Sequence, residues 1–415
     1  MNNDMKLIVS TITNYYLESR DFNGLPVYDF AETTSYQYEN SIDLLKELIE
    51  NDKISVIDSK TDENPHIIRR GFESLEIQLK KITNTPDNHL CFYPSINYLE
   101  SVVDKSKYST HPYNLLLALG NAQLSFKSFE LSVLERFRND PRYYYINSDI
   151  GGSIFYNEGN APNDKTMLET FGFSYNENFD RAVAVFIRYL ADQEPEQQAY
   201  WKSFEIKEEH KLHPEYCNNS IFGNFPEKQP ICEAILDEIE VINKMCILMN
   251  KPSLFNNEYS GENRPKNFSF LIRPTLKEFN DFVLVFDKIL SDNINKKIFL
   301  NEIEYETIDN DEQKHQKGTI KLLEEWFSKY FKTSDRKPLD DAFKTIREIR
   351  KLRQKPAHII QIDDFDKKYL KEQRQLIIKG YEAVRIIRQC LYNHPLVRER
   401  IEIPDWLWDG KIWDF

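Results

Sequence analysis

Helical periodicity dominates the chain from residue 275 to residue 391, and it limits the folds available more than any other feature. Residues 275–291 (TLKEFNDFVLVFDKILS), 319–331 (TIKLLEEWFSKYF), 339–355 and 365–391 each repeat apolar side chains every three or four positions. Such a stripe is stable only when its apolar face is covered. Start and stop signals agree with these bounds: Thr275 follows Pro274, Pro338 precedes the third segment, Asp363 or Asp364 stands before the fourth, and Pro395 lies beyond its end. Read as four helices with short connections, residues 267–400 predict an antiparallel four-helix bundle.

Upstream the pattern is mixed, so the expected fold class is mainly α with an α+β N-terminal and middle region. Residues 1–80 form a first module, in which a helix at 41–51 runs into an alternating strand at 53–58. Helix, turn and strand in that order are one piece of a winged-helix unit, which reads DNA, and equally of many plain structural domains. Residues 81–260 form a middle region of unknown role, with helical pattern at 113–120 and 126–138 and a buried helix at 182–190. Strands at 143–146 and 153–156 flank a turn at 149–152. The Gly151-Gly152-Ser153 backbone could meet a phosphate, but the lysine and spacing of a P-loop are absent, so a hairpin turn is the reading. His210, His213 and Cys217 make only part of a zinc set, and a helix end explains them better. The polar stretch 256–266 reads as a linker. The aromatic tail 401–415 ends in PDWLWDGKIWDF, which should dock on its own chain or on a partner.

Composition bounds the setting. The 415 residues exceed one ordinary core, so two or three domains are expected. The first residues lack a basic start followed by an apolar run, and the most apolar stretch, 182–190, is broken by Arg188. No secretory signal and no membrane partner is expected. Five scattered cysteines without a C-x-x-C pair suit reduced thiols in a cytoplasmic protein. Charge is uneven. Residues 314–400 hold 22 Lys and Arg against 12 Asp and Glu, a net of +10, which leaves 32 cations and 55 anions, a net of -23, for the remainder. A basic segment in an acidic chain either meets an external anion or is masked by its own acidic part.

The most informative stretch is 350–360, RKLRQKPAHII. Leu339, Ala342, Phe343, Ile346 and Ile349 form the core stripe of the third helix, and a further step of four lands on Arg353. An arginine thus occupies a position where the pattern asks for an apolar side chain. Lys344, Arg347 and Lys351 form a separate basic stripe. Pro356 breaks the helix, and His358 follows about one turn from Arg353. Histidine titrates near neutrality and can move the protons of RNA cleavage, while arginine presents a planar fork to phosphate oxygens. The neighbouring cations Lys344, Arg347, Arg350, Lys351 and Lys355 would hold the polyanion.

Arg353-Gln354-Lys355-Pro356-Ala357-His358 resembles the R-x4-6-H motif of the HEPN superfamily of ribonucleases and RNA-binding domains, over roughly residues 270–400. The resemblance implies a C-terminal HEPN-like bundle that cleaves RNA without a metal or other cofactor, at a site completed by a second copy of the chain. Arg353 and His358 take the catalytic roles by position, and Gln354 stands where the family commonly has asparagine. Many members act as toxins or antiviral-defence effectors, so RNA, a homodimer partner and an antitoxin or activating partner are expected. The alternative is a non-catalytic nucleic-acid-binding or regulatory protein that uses the bundle to dimerise.

Overall fold

In the computed structural model, Thr275 opens the first of the expected helices as its sequence demands. Its hydroxyl accepts from the Glu278 N–H at 3.2 Å, and the α-helix runs Leu276–Asp287 before a π-helical turn, Lys288–Asp292. The other three helices are Thr319–Tyr330, Lys337–Gln354 and Lys368–Tyr392. The structure describes residues 1–413 except 20, 65, 69–71, 85–88, 157, 158, 160–165, 225, 260–262, 309–313 and 355–361. The fold class is mixed α+β with much helix.

The chain divides into two compact units, residues 1–133 with 160–212, and residues 134–159 with 213–415. These cuts fall elsewhere than the boundaries read from composition. The first unit opens with helices Asn3–Glu18, Val27–Thr34 and Tyr38–Glu50 around an antiparallel sheet whose order is Leu25–Pro26, Leu90–Pro94, Ile54–Asp58. The helix and strand expected at 41–58 are both present. However, the exposed positions of the Tyr38–Glu50 helix include Glu39, Asp43, Glu47 and Glu50. Four carboxylates on that face would repel a phosphate backbone, which argues against its entering a DNA groove.

The same unit corrects two expectations. Residues 182–190 were expected as one buried helix, but Arg181–Phe186 is a strand and only Ile187–Ala191 is helical. Ala182–Ile187 and Leu190 are buried as expected and Arg188 is exposed; a short apolar stretch rich in β-branched residues does not distinguish strand from helix by period. Likewise 126–138, expected as helix, begins as the strand Phe126–Phe129, which pairs antiparallel with Arg181–Phe186. Leu131–Leu134 is then a 3-10 turn, and Glu135–Asn139, which lies in the second unit, a short helix.

The second unit holds the helical core. The five stripe residues Leu339, Ala342, Phe343, Ile346 and Ile349 are all buried. A helix not anticipated from the sequence, Ile231–Leu248, contributes to the same core as the other four. Gly380 permits close approach inside it, since a Cβ there would lie 2.2 Å from Cζ of Phe286. The connection between the first two expected helices is not short: it carries a 3-10 turn, Lys296–Phe299, and a hairpin, Glu306–Ile308 with Lys314–Gln316. Residues 143–156 form the expected hairpin, Tyr143–Asn147 against Gly151–Tyr156. Asp149 in its turn is buried and accepts from the Ile231 N–H, capping that unanticipated helix. The stretch 256–266, read as a linker, lies within this unit, and Arg264 is bound there to Glu233 and to the Asn147 and Phe268 carbonyls.

Of Asp363 and Asp364, either of which was expected to cap the fourth helix, Asp363 caps the first instead: its carboxylate accepts from the Lys277 N–H at 2.8 Å. Asp366 accepts the Lys368 N–H in its place. The aromatic tail packs back on its own chain. Leu407, Ile412 and Trp413 are buried, and Arg388 and Arg374 donate to the Leu407 and Trp413 carbonyls. Among the described residues no helix is long and apolar enough to cross a membrane.

Candidate functional site

Arg353 breaks the stripe of its helix, and a carboxylate breaks the stripe of another. In Leu276–Asp287, the buried positions are Phe279, Phe282, Val283, Phe286 and then Asp287, which is 0% exposed. A buried carboxylate must be paired or neutralised. Asp287 is paired twice, accepting from Arg350 Nε at 3.0 Å and from an Arg353 terminal nitrogen at 2.6 Å. The π-helical turn then brings Asp292, five residues on, to the same two cations. It accepts from Arg350 and from Arg353, each at 2.5 Å. Four groups thus close a ring of four ion pairs in which each carboxylate touches both guanidiniums.

The ring is graded in exposure. The Asp287 side chain is sealed, those of Arg350 and Arg353 are 29% and 28% exposed, and that of Asp292 is 41% exposed. Hydrogen bonds to Asp287 and Asp292 hold the Arg353 guanidinium above its ordinary pKa. For Asp292, burial pushes the carboxyl up, but the Arg353 hydrogen bond and the charges of Arg350 and Arg353 outweigh it and leave the value below normal. Two aspartates face two arginines, so the formal charges of the ring cancel.

The remaining sequence-derived residues fall in three groups. Arg350 and Arg353 are brought together. Lys344, Arg347, Lys351 and Gln354 lie exposed on the same helix, and Arg347 is engaged by Glu324 at 2.8 Å. Lys355 and His358 lie outside the described residues. Asp287 and Asp292 were missed, although a signal existed: one helix has an arginine and another an aspartate where each pattern asks for an apolar residue.

Much of the basic excess at 314–400 is answered inside the second unit. Arg374 pairs with Asp149, Arg388 with Glu238 and Lys314 with Glu306, all carboxylates outside that segment. A polar cleft lined by Glu135, Arg138, Arg273, Lys277, Glu278 and Asp363 offers little free charge, because Arg138 forks onto Glu278 and Arg273 pairs with Glu135. His213, from the partial zinc set, caps the helix Pro214–Ser220 by accepting from the Glu215 N–H. Among the described residues no group of three or more His, Cys, Asp or Glu side chains is arranged to hold a metal. Comparison with protein-family models, with curated proteins and with solved structures finds no match to the chain.

Proposed function

We propose that this chain is an endoribonuclease of HEPN type, built on an antiparallel four-helix bundle and acting as a homodimer in the manner of a toxin or antiviral-defence effector. The observation that carries the proposal is the position of Arg353, half-buried at a helix end and oriented by two carboxylates, five residues before His358. A guanidinium held in this way has lost most of its rotamer freedom before any substrate arrives, which suits stabilisation of a phosphorane in a fixed place.

In this reading His358 removes the proton from a 2′-hydroxyl, and the 2′-oxygen attacks the adjacent phosphorus. The bond from phosphorus to the 5′-oxygen breaks, a histidine returns a proton to that oxygen, and a 2′,3′-cyclic phosphate and a 5′-hydroxyl result. Arg353 offsets the charge that builds on the non-bridging oxygens. Lys344, Arg347, Arg350, Lys351 and Lys355 draw in the backbone, and Gln354 adds an amide that can hydrogen-bond to it. No step requires a metal. DNA, without the 2′-hydroxyl, is not a substrate for this route.

A second reading rests on the closed ring itself. Arg353 bound to a fully buried Asp287 is also what a purely structural tie would look like, in a bundle that binds nucleic acid or dimerises without catalysis. Incubation of RNA with the purified protein and excess chelator separates the two. The ribonuclease reading expects cleavage by the wild type and a loss of about 10²–10⁴-fold in His358→Ala with an unchanged circular dichroism spectrum. Intact RNA with the wild type, or undiminished cleavage by the variant, gives the molecule to the second reading.

A further inference from the structure

The two carboxylates of the ring are not equivalent, and the difference points to a ligand. Asp287 is sealed beneath the arginines, while Asp292 closes the ring from its solvent side. The two Asp292 oxygens are divided between the cations: Oδ1 takes Arg350 and Oδ2 takes Arg353. Two oxygens bridging two guanidinium forks is also the arrangement in which the non-bridging oxygens of a phosphodiester would be held. An ion pair with one partner this exposed is weak, because water competes for both charges. Asp287 cannot yield in the same way, since withdrawing its partners would leave a charge stranded in the core.

We propose that Asp292 is an internal stand-in for phosphate: the backbone of single-stranded RNA displaces its carboxylate and takes over Arg350 and Arg353, while Asp287 keeps holding both from beneath. The proposal rests on the ribonuclease reading for the identity of the polyanion and assigns that site a self-occupied resting state. Arg350 then becomes a second direct phosphate ligand rather than a distant attracting charge. Asp292 imposes a competition on every binding event, which weakens association with short or poorly placed RNA.

Binding of a fluorescent single-stranded oligoribonucleotide to the full chain, followed by anisotropy in a His358→Ala background that prevents turnover, tests this. Asp292→Asn keeps the shape and removes the competing charge, so it should bind about tenfold more tightly than the parent. Arg350→Gln should bind about tenfold more weakly, and the slope of log affinity against log salt should become shallower by about one. Unchanged or weaker binding by a folded Asp292→Asn protein overturns the displacement. If that variant does not fold, Arg350→Gln decides alone, and unaltered RNA affinity there overturns it equally. Inorganic phosphate serves as the second probe: an affinity gain in Asp292→Asn for phosphate without one for RNA also overturns it. Cleavage by the wild type in chelator is scored separately, so a ribonuclease without a displaceable Asp292 and a binder without cleavage give different results.

Discussion

Two arginine–carboxylate clusters in the same unit have the same chemistry and opposite surroundings. Arg388 and Glu238 are both 0% exposed, and Arg388 also donates to the Leu407 carbonyl, which ties the aromatic tail to the core. The cluster of Arg350, Arg353, Asp287 and Asp292 grades from a sealed carboxylate to one that is 41% exposed. A sealed pair can only be a tie, because exchanging either partner would desolvate a lone charge. A half-open cluster can exchange its outer member for another anion. Burial, more than residue type, separates a pair closed to water from one whose outer partner water reaches.

The largest expected effect belongs to the sealed pair. Glu238→Ala should cost about 3–5 kcal/mol of stability, because it leaves the Arg388 charge unpaired in the core. Urea denaturation measures it, and a loss below about 1 kcal/mol would put the sealed pair on a level with an exposed one. Asp287→Asn comes next, at about 1–3 kcal/mol, since the amide oxygen can still accept one of the two arginine hydrogen bonds. Asp292→Asn should change stability by no more than about 1 kcal/mol in the same measurement. If Asp292→Asn proved as costly as Asp287→Asn, the gradation across the ring would have no energetic meaning.

The pH dependence runs in opposite directions at the two clusters. Burial pushes the Glu238 carboxyl up to about 7 against the pull of Arg388. A raised folded-state value means that its contribution is fully present below the unfolded pKa, about 4.3, and is lost as pH rises through the folded value. The stability difference between wild type and Glu238→Gln should therefore shrink as pH rises across that window. Asp292 is held low, so its contribution is present above its unfolded pKa and lost as pH falls through the folded value. The difference between wild type and Asp292→Asn should shrink on acidification. Denaturation midpoints collected at several pH values check both signs, and a common sign at the two clusters would contradict their assignment.

Much of the helical part was legible because its signals are local. Thr275, Pro338 and the stripe through Ile349 are read within a few residues of one another, and the observed helices begin and end within a few residues of the expected bounds. The strand at Arg181–Phe186 was not legible, because a run buried on both faces carries no period. The helix Ile231–Leu248 went unremarked because it is apolar on most of its circumference. At the candidate site, the sequence marked Arg353 as out of place on an apolar stripe. It did not supply the partner: Asp363 stands close to the motif in the chain yet binds Lys277, whereas Asp287 and Asp292, more than sixty residues upstream, hold Arg353.

From its order of residues alone the chain determined where its later helices lie, which faces they must bury, and that a cation intrudes on one of those faces. These follow from periodicity and capping, which act between neighbours. Only the tertiary structure decided that the cation meets two carboxylates, that one is sealed and the other open, and that a distant hairpin turn caps a core helix. Those outcomes depend on which helices pack together and how deeply. Pairing and desolvation act between groups far apart in the chain, and no local pattern records them.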